Sequence, residues 1–224
     1  MLMDDWERWS EYRLPAAIKE WYSVPDAAEC LARRRDNLLV PAARLGEPVD
    51  RIDYLTRGLL VTETDSQGCC RWAVRLEPPQ SRYRQEPLFE LPSPDTTVQI
   101  GDDPPVWIVD ADDSEAPLER YSDTFSAYVL TCAWDARIWA GNPAVVFDHP
   151  LPPGAIDTLR RDCTELPTTY AWAGNQPCDA MYRFDGPAQI LVAVAGGRSA
   201  YSVVKTDNQQ RRARVLSILC GIHD

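Results

Sequence analysis

The stretch Gly58 to Leu76, GLLVTETDSQGCCRWAVRL, decides the fold. Leu59 to Thr64 and Cys70 to Leu76 are dense in β-formers. Between them Asp65-Ser66-Gln67-Gly68 has the chemistry of a hairpin turn, with Gly68 able to take a positive φ. Two adjacent antiparallel strands are expected, and neither carries a catalytic group.

Upstream, Trp6, Trp9, Tyr12, Leu14, Ile18, Trp21 and Tyr22 recur every three to four residues, the helical period, with Pro15 acceptable in a first turn and Pro25 as a stop. A second helix is expected over Asp26 to Arg35, with Ala27, Cys30, Leu31 and Arg34 on one stripe. Downstream, Glu77 to Thr97 holds five prolines, Pro78, Pro79, Pro87, Pro92 and Pro94, which remove ladder donors. That segment reads as a long loop with at most a short strand at Leu88 to Leu91, after which Val106 to Asp110 returns to strand character.

Phe125, Tyr128, Val129, Cys132, Ala136 and Trp139 follow the helical period, with Ser122 or Asp123 as the cap and Gly141-Asn142-Pro143 as the stop. Beyond it, Pro153 to Cys163 reads as a short helix. Thr168 to Ala173, Ala180 to Phe184, Gln189 to Ala195 and Ala200 to Lys205 read as successive strands. Asn208 to Leu219 reads as a last helix with Ala213, Leu216 and Cys220 facing in. The expected class is α+β: N-terminal helices, a central mostly antiparallel sheet flanked by helices, and a C-terminal β-rich extension closed by a helix. The boundary signals of Pro, Gly and Asn fall between Gly141 and Pro153, so residues 1–141 form the expected first domain and 142–224 an extension packed on it.

The 224 residues suffice to bury roughly 70% of the unfolded surface. The net charge is -11 and the pI near 4.7, so attraction to nucleic acid or anionic lipid is not expected, whereas a basic protein partner would be steered in. The opening MLMDDWERWSEYR lacks the basic start and apolar run of a secretory signal. The longest apolar run, Ile190 to Ala195, is too short to span a bilayer. A cytoplasmic protein is expected. Its seven cysteines, an odd number without CxxC spacing, read as buried or idle thiols.

The search for chemistry finds little. Only His149 and His223 exist; His149, between Asp148 and Pro150, reads as a solvated loop histidine, and it is the one candidate base for a thiol such as Cys163 or Cys69. No phosphate-binding glycine motif and no short-spaced metal ligands occur, so no cofactor and no metal are expected, and the chain reads as a non-enzyme. The unusual feature is acidic. From Glu90 to Asp123 there are ten acids against Arg120 alone, a charge of -9, with Trp107 set among them. Tryptophan is favoured at binding hot spots, although core burial is the commoner role for any one of them.

Leu14-Pro15 opening a helix that closes with Trp21-Tyr22, then Gly58-Leu59-Leu60-Val61, then Gln67-Gly68 before Arg71-Trp72-Ala73-Val74, then Asp103-Pro104-Pro105-Val106-Trp107, and finally the helix Phe125 to Trp134, form an order of elements that resembles the SMI1/KNR4 (SUKH) superfamily. The resemblance covers about residues 14 to 139. Val24-Pro25-Asp26-Ala27 stands where the family carries an Asn-Gly-Gly turn. The resemblance implies an α+β protein without enzymatic activity, and a bacterial immunity-type member that binds and neutralises a toxin, often a nuclease. Under that reading the partner-binding residues are Glu63, Asp65, Trp107, Asp110, Asp112, Asp113 and Glu115. A regulatory or scaffold protein without a toxin partner is the alternative, and the oligomeric state stays open.

Overall fold

A computed structural model describes residues 3–27, 31, 37–77, 101–111, 113, 116–140, 144–173 and 176–221. The expected proline-rich loop and the strand Leu88 to Leu91 lie outside these residues, as do most of the helix expected over Asp26 to Arg35 and the stop at Gly141-Asn142-Pro143.

The fold is α+β, with N-terminal helices, two antiparallel sheets with helices interspersed, and a C-terminal helix. Helices α1 (Met3–Ser10) and α2 (Ala16–Ser23) come from the first periodic stretch. They are separated at Glu11, where φ is 64°, and Pro15 precedes the second helix. Glu7 bridges the break, its carboxylate accepting from Leu14 N at 2.7 Å and from Lys19 Nζ at 2.8 Å. Trp6 is fully buried and donates its indole N–H to Leu45 O at 2.7 Å.

The first sheet runs in chain order through β1 (Leu38–Leu39), β2 (Leu59–Thr64), β3 (Cys70–Arg75), β4 (Val106–Asp110) and β5 (Glu119–Ser122). The β2–β3 hairpin is the one read from Gly58 to Leu76, with Gly68 at φ 81° in its turn. A bulge between Val61 and Glu63 shifts the register, so that Glu63, not Thr62, lies opposite Trp72. A bulge adds one residue to one strand and reverses the faces beyond it. Glu63 therefore turns toward the core that Trp72 faces.

After β5 comes α3 (Phe125–Ile138), capped by Thr124, whose Oγ1 accepts from Ala127 N at 3.1 Å. The expected caps are engaged elsewhere: Ser122 is buried and donates to Thr124 O, and Asp123 pairs with Arg120. This helix leaves only a narrow stripe, Ser126, Leu130 and Arg137, exposed and packs on two sides. Phe125, Tyr128 and Cys132 pack with Leu60, Trp72, Val106 and Tyr121 of the first sheet. Trp134 and Ile138 pack with Met181, Leu191 and Val203 of the second. A helix with an apolar face toward each of two sheets belongs between them.

The second sheet has the order β6 (Val145–Pro150), β11 (Ser199–Lys205), β10 (Gln189–Ala195), β9 (Gln176–Asp185) and β7 (Thr164–Glu165), with β8 (Thr169–Ala173) also paired to β9. Its other face is covered by α4 (Ala155–Asp162) and α5 (Gln209–Cys220) through Leu159, Val215 and Leu219. The inward stripe of α5 differs from the expectation. Ala213 and Cys220 are exposed, and Leu216 is only half-buried. Burying Val215 and Leu219 one turn apart contributes about 1.5–3 kcal/mol each, more than small side chains can offer, and this rotates the helix.

Arg183 of β9 is fully buried where α3 crosses the sheet. Its Nε and Nη2 donate to the two carboxylate oxygens of Asp135 at 2.7 and 2.8 Å, and Nη1 donates to Thr169 Oγ1 at 2.9 Å. Burial alone would lower the guanidinium's pKa, but Asp135 outweighs it, and the net shift is upward. Removing one member of such a pair leaves an uncompensated buried charge. Asp135→Ala is expected to lower unfolding free energy in urea by about 3 kcal/mol, and the double change D135L/R183L to recover at least half of it. Equal losses in the two variants would contradict this role.

Candidate functional site

The turn end of the first sheet collects carboxylates from three parts of the chain. Asp65 opens the hairpin turn and is nearly buried; its Oδ2 accepts from Cys69 N at 3.0 Å, and its own N–H donates to Cys70 O at 3.0 Å. Asp110 lies across from Cys70 at the end of β4, exposed, with Oδ1 accepting from Asp113 N at 3.2 Å. Asp113 is exposed too. Asp112 and Glu115 lie outside the described residues.

A fourth carboxylate there was not anticipated. Val49-Asp50-Arg51-Ile52 makes a two-residue turn in which Asp50 and Arg51 both have positive φ, 50° and 70°. This presents Asp50 to Arg71, whose guanidinium is 4% exposed and also donates to Cys70 O at 3.0 Å and Gly68 O at 3.3 Å. The only advance signal is the apolar-Asp-Arg-apolar pattern, which is weak because non-glycine residues seldom take a positive φ. One nearly buried cation thus sits under Asp50 and close to the turn that carries Asp65, and the exposed oxygens at this end are acidic.

Two expected partner-binding residues are elsewhere. Glu63 is fully buried. It accepts from the Tyr128 hydroxyl and from Asn37 Nδ2 at 2.8 Å, with Cys132 Sγ at 3.9 Å. The bulge removes it from any contact surface, and it anchors the first sheet to α3. Trp107 is half-buried, three residues along β4 from Asp110, or about 10 Å. The Arg75 guanidinium stacks over its ring at 5.3 Å from the centroid, so this tryptophan wears a cation and is separate from the acidic end.

His149 corrects another expectation. It is in β6, not a loop, and 8% exposed, stacked on Phe147 with ring centroids 4.8 Å apart. The Pro150 carbonyl, 3.0 Å from Nδ1, can only accept, so Nδ1 carries the proton. Nε2 lies 2.8 Å from the buried Ser202 hydroxyl. Pairing with β11 along the whole of β6, begun by the β-formers Val145, Val146 and Phe147, outweighs the turn-like Asp148-His149-Pro150. Among the described residues neither ring nitrogen is hydrogen-bonded to a cysteine. Burial pushes the Cys70 thiol up to about 12, with Asp65 adding to it, and Cys178 up to about 11; Cys163 moves the same way. Such thiols are poor nucleophiles at neutral pH.

Residues 144–224 carry eight acids and eight basic residues, so the net charge of -11 belongs to the first 143. Among the described residues no group of three or more His, Cys, Asp or Glu side chains could hold a metal ion, and no helix is long and apolar enough to cross a membrane. No family model, curated protein or solved structure matches the chain.

Glu63→Ala is expected to cost about 2–3 kcal/mol in urea unfolding, because it orphans buried donors, whereas Glu119→Gln in exposed β5 should stay within about 0.5 kcal/mol. Similar effects for both would place Glu63 at the surface after all. A second expectation concerns pH. The phenols of Tyr22, Tyr54 and Tyr201 and the thiols of Cys70, Cys163 and Cys178 are all shifted up, chiefly by burial. The unfolded chain therefore loses these protons first. Stability is fully present below about pH 8.5 and falls as pH rises through 9 to 11. Melting temperatures that hold level across this range would contradict the assignment.

Proposed function

We propose that this chain is a non-enzymatic protein-binding module that engages a basic protein through the acidic end of its first sheet, in the manner of an immunity protein that neutralises a toxin. The observation that carries the reading is the segregation of charge: the excess acid lies in the first 143 residues, and exposed Asp50, Asp110 and Asp113 border the end of the sheet at which the β2–β3 hairpin turns. Electrostatic complementarity of this kind speeds encounter and selects partners of opposite sign. A nuclease fits, because a cleft built for phosphate is basic. The engaged ring of His149 and the upshifted thiols also favour binding over catalysis. The toxin-neutralising role itself rests on the resemblance of the element order to the SUKH superfamily, which makes it the more specific half of the proposal.

The test is capture of the partner with this protein as bait, followed by affinity measurements across salt. The reading expects a basic toxin as partner and affinity that falls steeply with salt. Reversal of Asp110, Asp112, Asp113 and Glu115 to lysine should weaken binding by tenfold or more and flatten the salt dependence. A toxin bound with unchanged affinity and salt slope would refute the acidic-face mechanism, and a partner that is not a toxin would refute the immunity role.

A further inference from the structure

The second sheet has a concave site that the acidic end does not explain. Side chains of one sheet face form the row Asp148, Tyr201, Ala193 and Met181 across four strands. Toward one end this face is covered by Trp134 and Ile138 of α3. Beyond that cover the side chains shrink to Ala193 and Ala195, and a hollow of about 370 Å³ opens, bordered by Asp148, Gln176, Cys178 and Tyr201. Its size is that of a ligand site.

Of the polar groups around it, His149 and Ser199 are engaged, by Ser202 and by Ala195 O, and three others are not. Among the described residues, no hydrogen bond or ion pair satisfies the side chains of Asp148, Gln176 or Tyr201. The other acids of this half are almost all committed: Asp157 and Glu165 to Arg160, Asp162 to Arg214, Asp179 to Gly197 N, and Asp185 to Arg137. Burial and the nearby Asp148 carboxylate raise the Tyr201 phenol, so it remains a donor at neutral pH. The hollow therefore presents one carboxylate, a phenol, an amide and an apolar floor, a set suited to an alkyl chain ending in a positive charge.

The hollow also adjoins an open edge. β6 pairs with β11 along residues 145–150, and no described strand pairs with its other side. Val146, two residues from Asp148 and so on the same face, is 46% exposed. An added strand would place alternate side chains beside Val146 and beside Asp148. Main-chain pairing supplies the affinity in such complexes, and the side-chain pocket supplies the choice.

We propose that β6 is a docking edge for an extended polypeptide segment of a partner, which pairs with its free side and places a lysine or arginine side chain, flanked at two residues by an apolar one, into the hollow beside Asp148. This site is independent of the acidic hairpin end and does not rest on the toxin-neutralising reading. It recognises a local sequence pattern where the acidic end recognises overall charge.

The experiment is an amide-shift NMR titration of the intact protein with the blocked peptide Val-Thr-Arg-Thr-Val-Thr, its twin with citrulline for arginine, and agmatine. Saturable shifts confined to β6, β11 and the hollow are expected with the arginine peptide, with Kd below about 1 mM. The citrulline peptide, or the arginine peptide on Asp148→Asn, should bind about fivefold more weakly or worse. Ala195→Leu, which fills the hollow and keeps the carboxylate, should weaken the arginine peptide as well. Binding indifferent to citrulline and to Asp148→Asn would overturn the charge recognition. Agmatine binding as tightly as the peptide would overturn the strand pairing, and no saturable shift in these strands would overturn the site.

Discussion

The structure depends on α3 being held by both sheets. Its early turns present Tyr128 and Cys132 to the buried carboxylate of Glu63, and its later turns present Asp135 to the buried guanidinium of Arg183. Each contact places a charged group out of water, where geometry must be good for the arrangement to persist. Apolar packing on either side of one helix could slide or rotate. Two polar anchors seven residues apart, about two helical turns, fix its rotation and its position along the axis. Around the first anchor Trp72, Tyr121, Tyr128 and Phe125 form a chain of ring contacts with centroids 5.7 to 6.1 Å apart, which carries the constraint from β3 through β5 to the helix.

This frame separates what is rigid from what is offered to a partner. The buried Glu63 and the mostly buried Asp135 are structural, while Asp50, Asp110 and Asp113 stand beside a hairpin end whose backbone is pinned by Asp65 and Arg71. Pre-organisation of that kind lowers the entropy lost on association. The second sheet has little net charge, and its features are geometric: an open strand and a hollow left where α3 ceases to cover it.

Local signals made much of this legible. The turn Asp65-Ser66-Gln67-Gly68 between two β-rich runs located the β2–β3 hairpin to within a residue, and the period of Phe125 to Ala136 located α3. The strands β10 and β11 were readable because Gly196-Gly197 separates two runs of β-formers, and both glycines take positive φ. Other elements have no local signature. β5 holds a single large apolar residue, Tyr121, in Glu-Arg-Tyr-Ser and exists because β4 pairs with it. β6 ends in Asp148-His149-Pro150, which resembles a turn until β11 is known to lie beside it. The candidate site was half legible. Asp110 and Asp113 were found from charge alone, and Asp50 was missed because it arrives through a turn of two non-glycine residues at positive φ. Glu63 was misplaced because a bulge is one extra residue that period-2 reading cannot see, and Arg183 with Asp135 is a pairing across 48 positions that no local pattern announces.

The central claim is that α3, with the direct packing of β8 against the core of the first sheet, makes both sheets a single cooperative structure. Native-state hydrogen exchange followed by mass spectrometry in rising urea tests it most directly, by comparing amides of β2 and β3 with those of β10 and β11. If α3 couples the sheets, the slowest amides of both merge into one opening with a common free energy and a common urea dependence. If β10 and β11 open at lower free energy with a smaller urea dependence than β2 and β3, the sheets are separate folding units and the account is wrong.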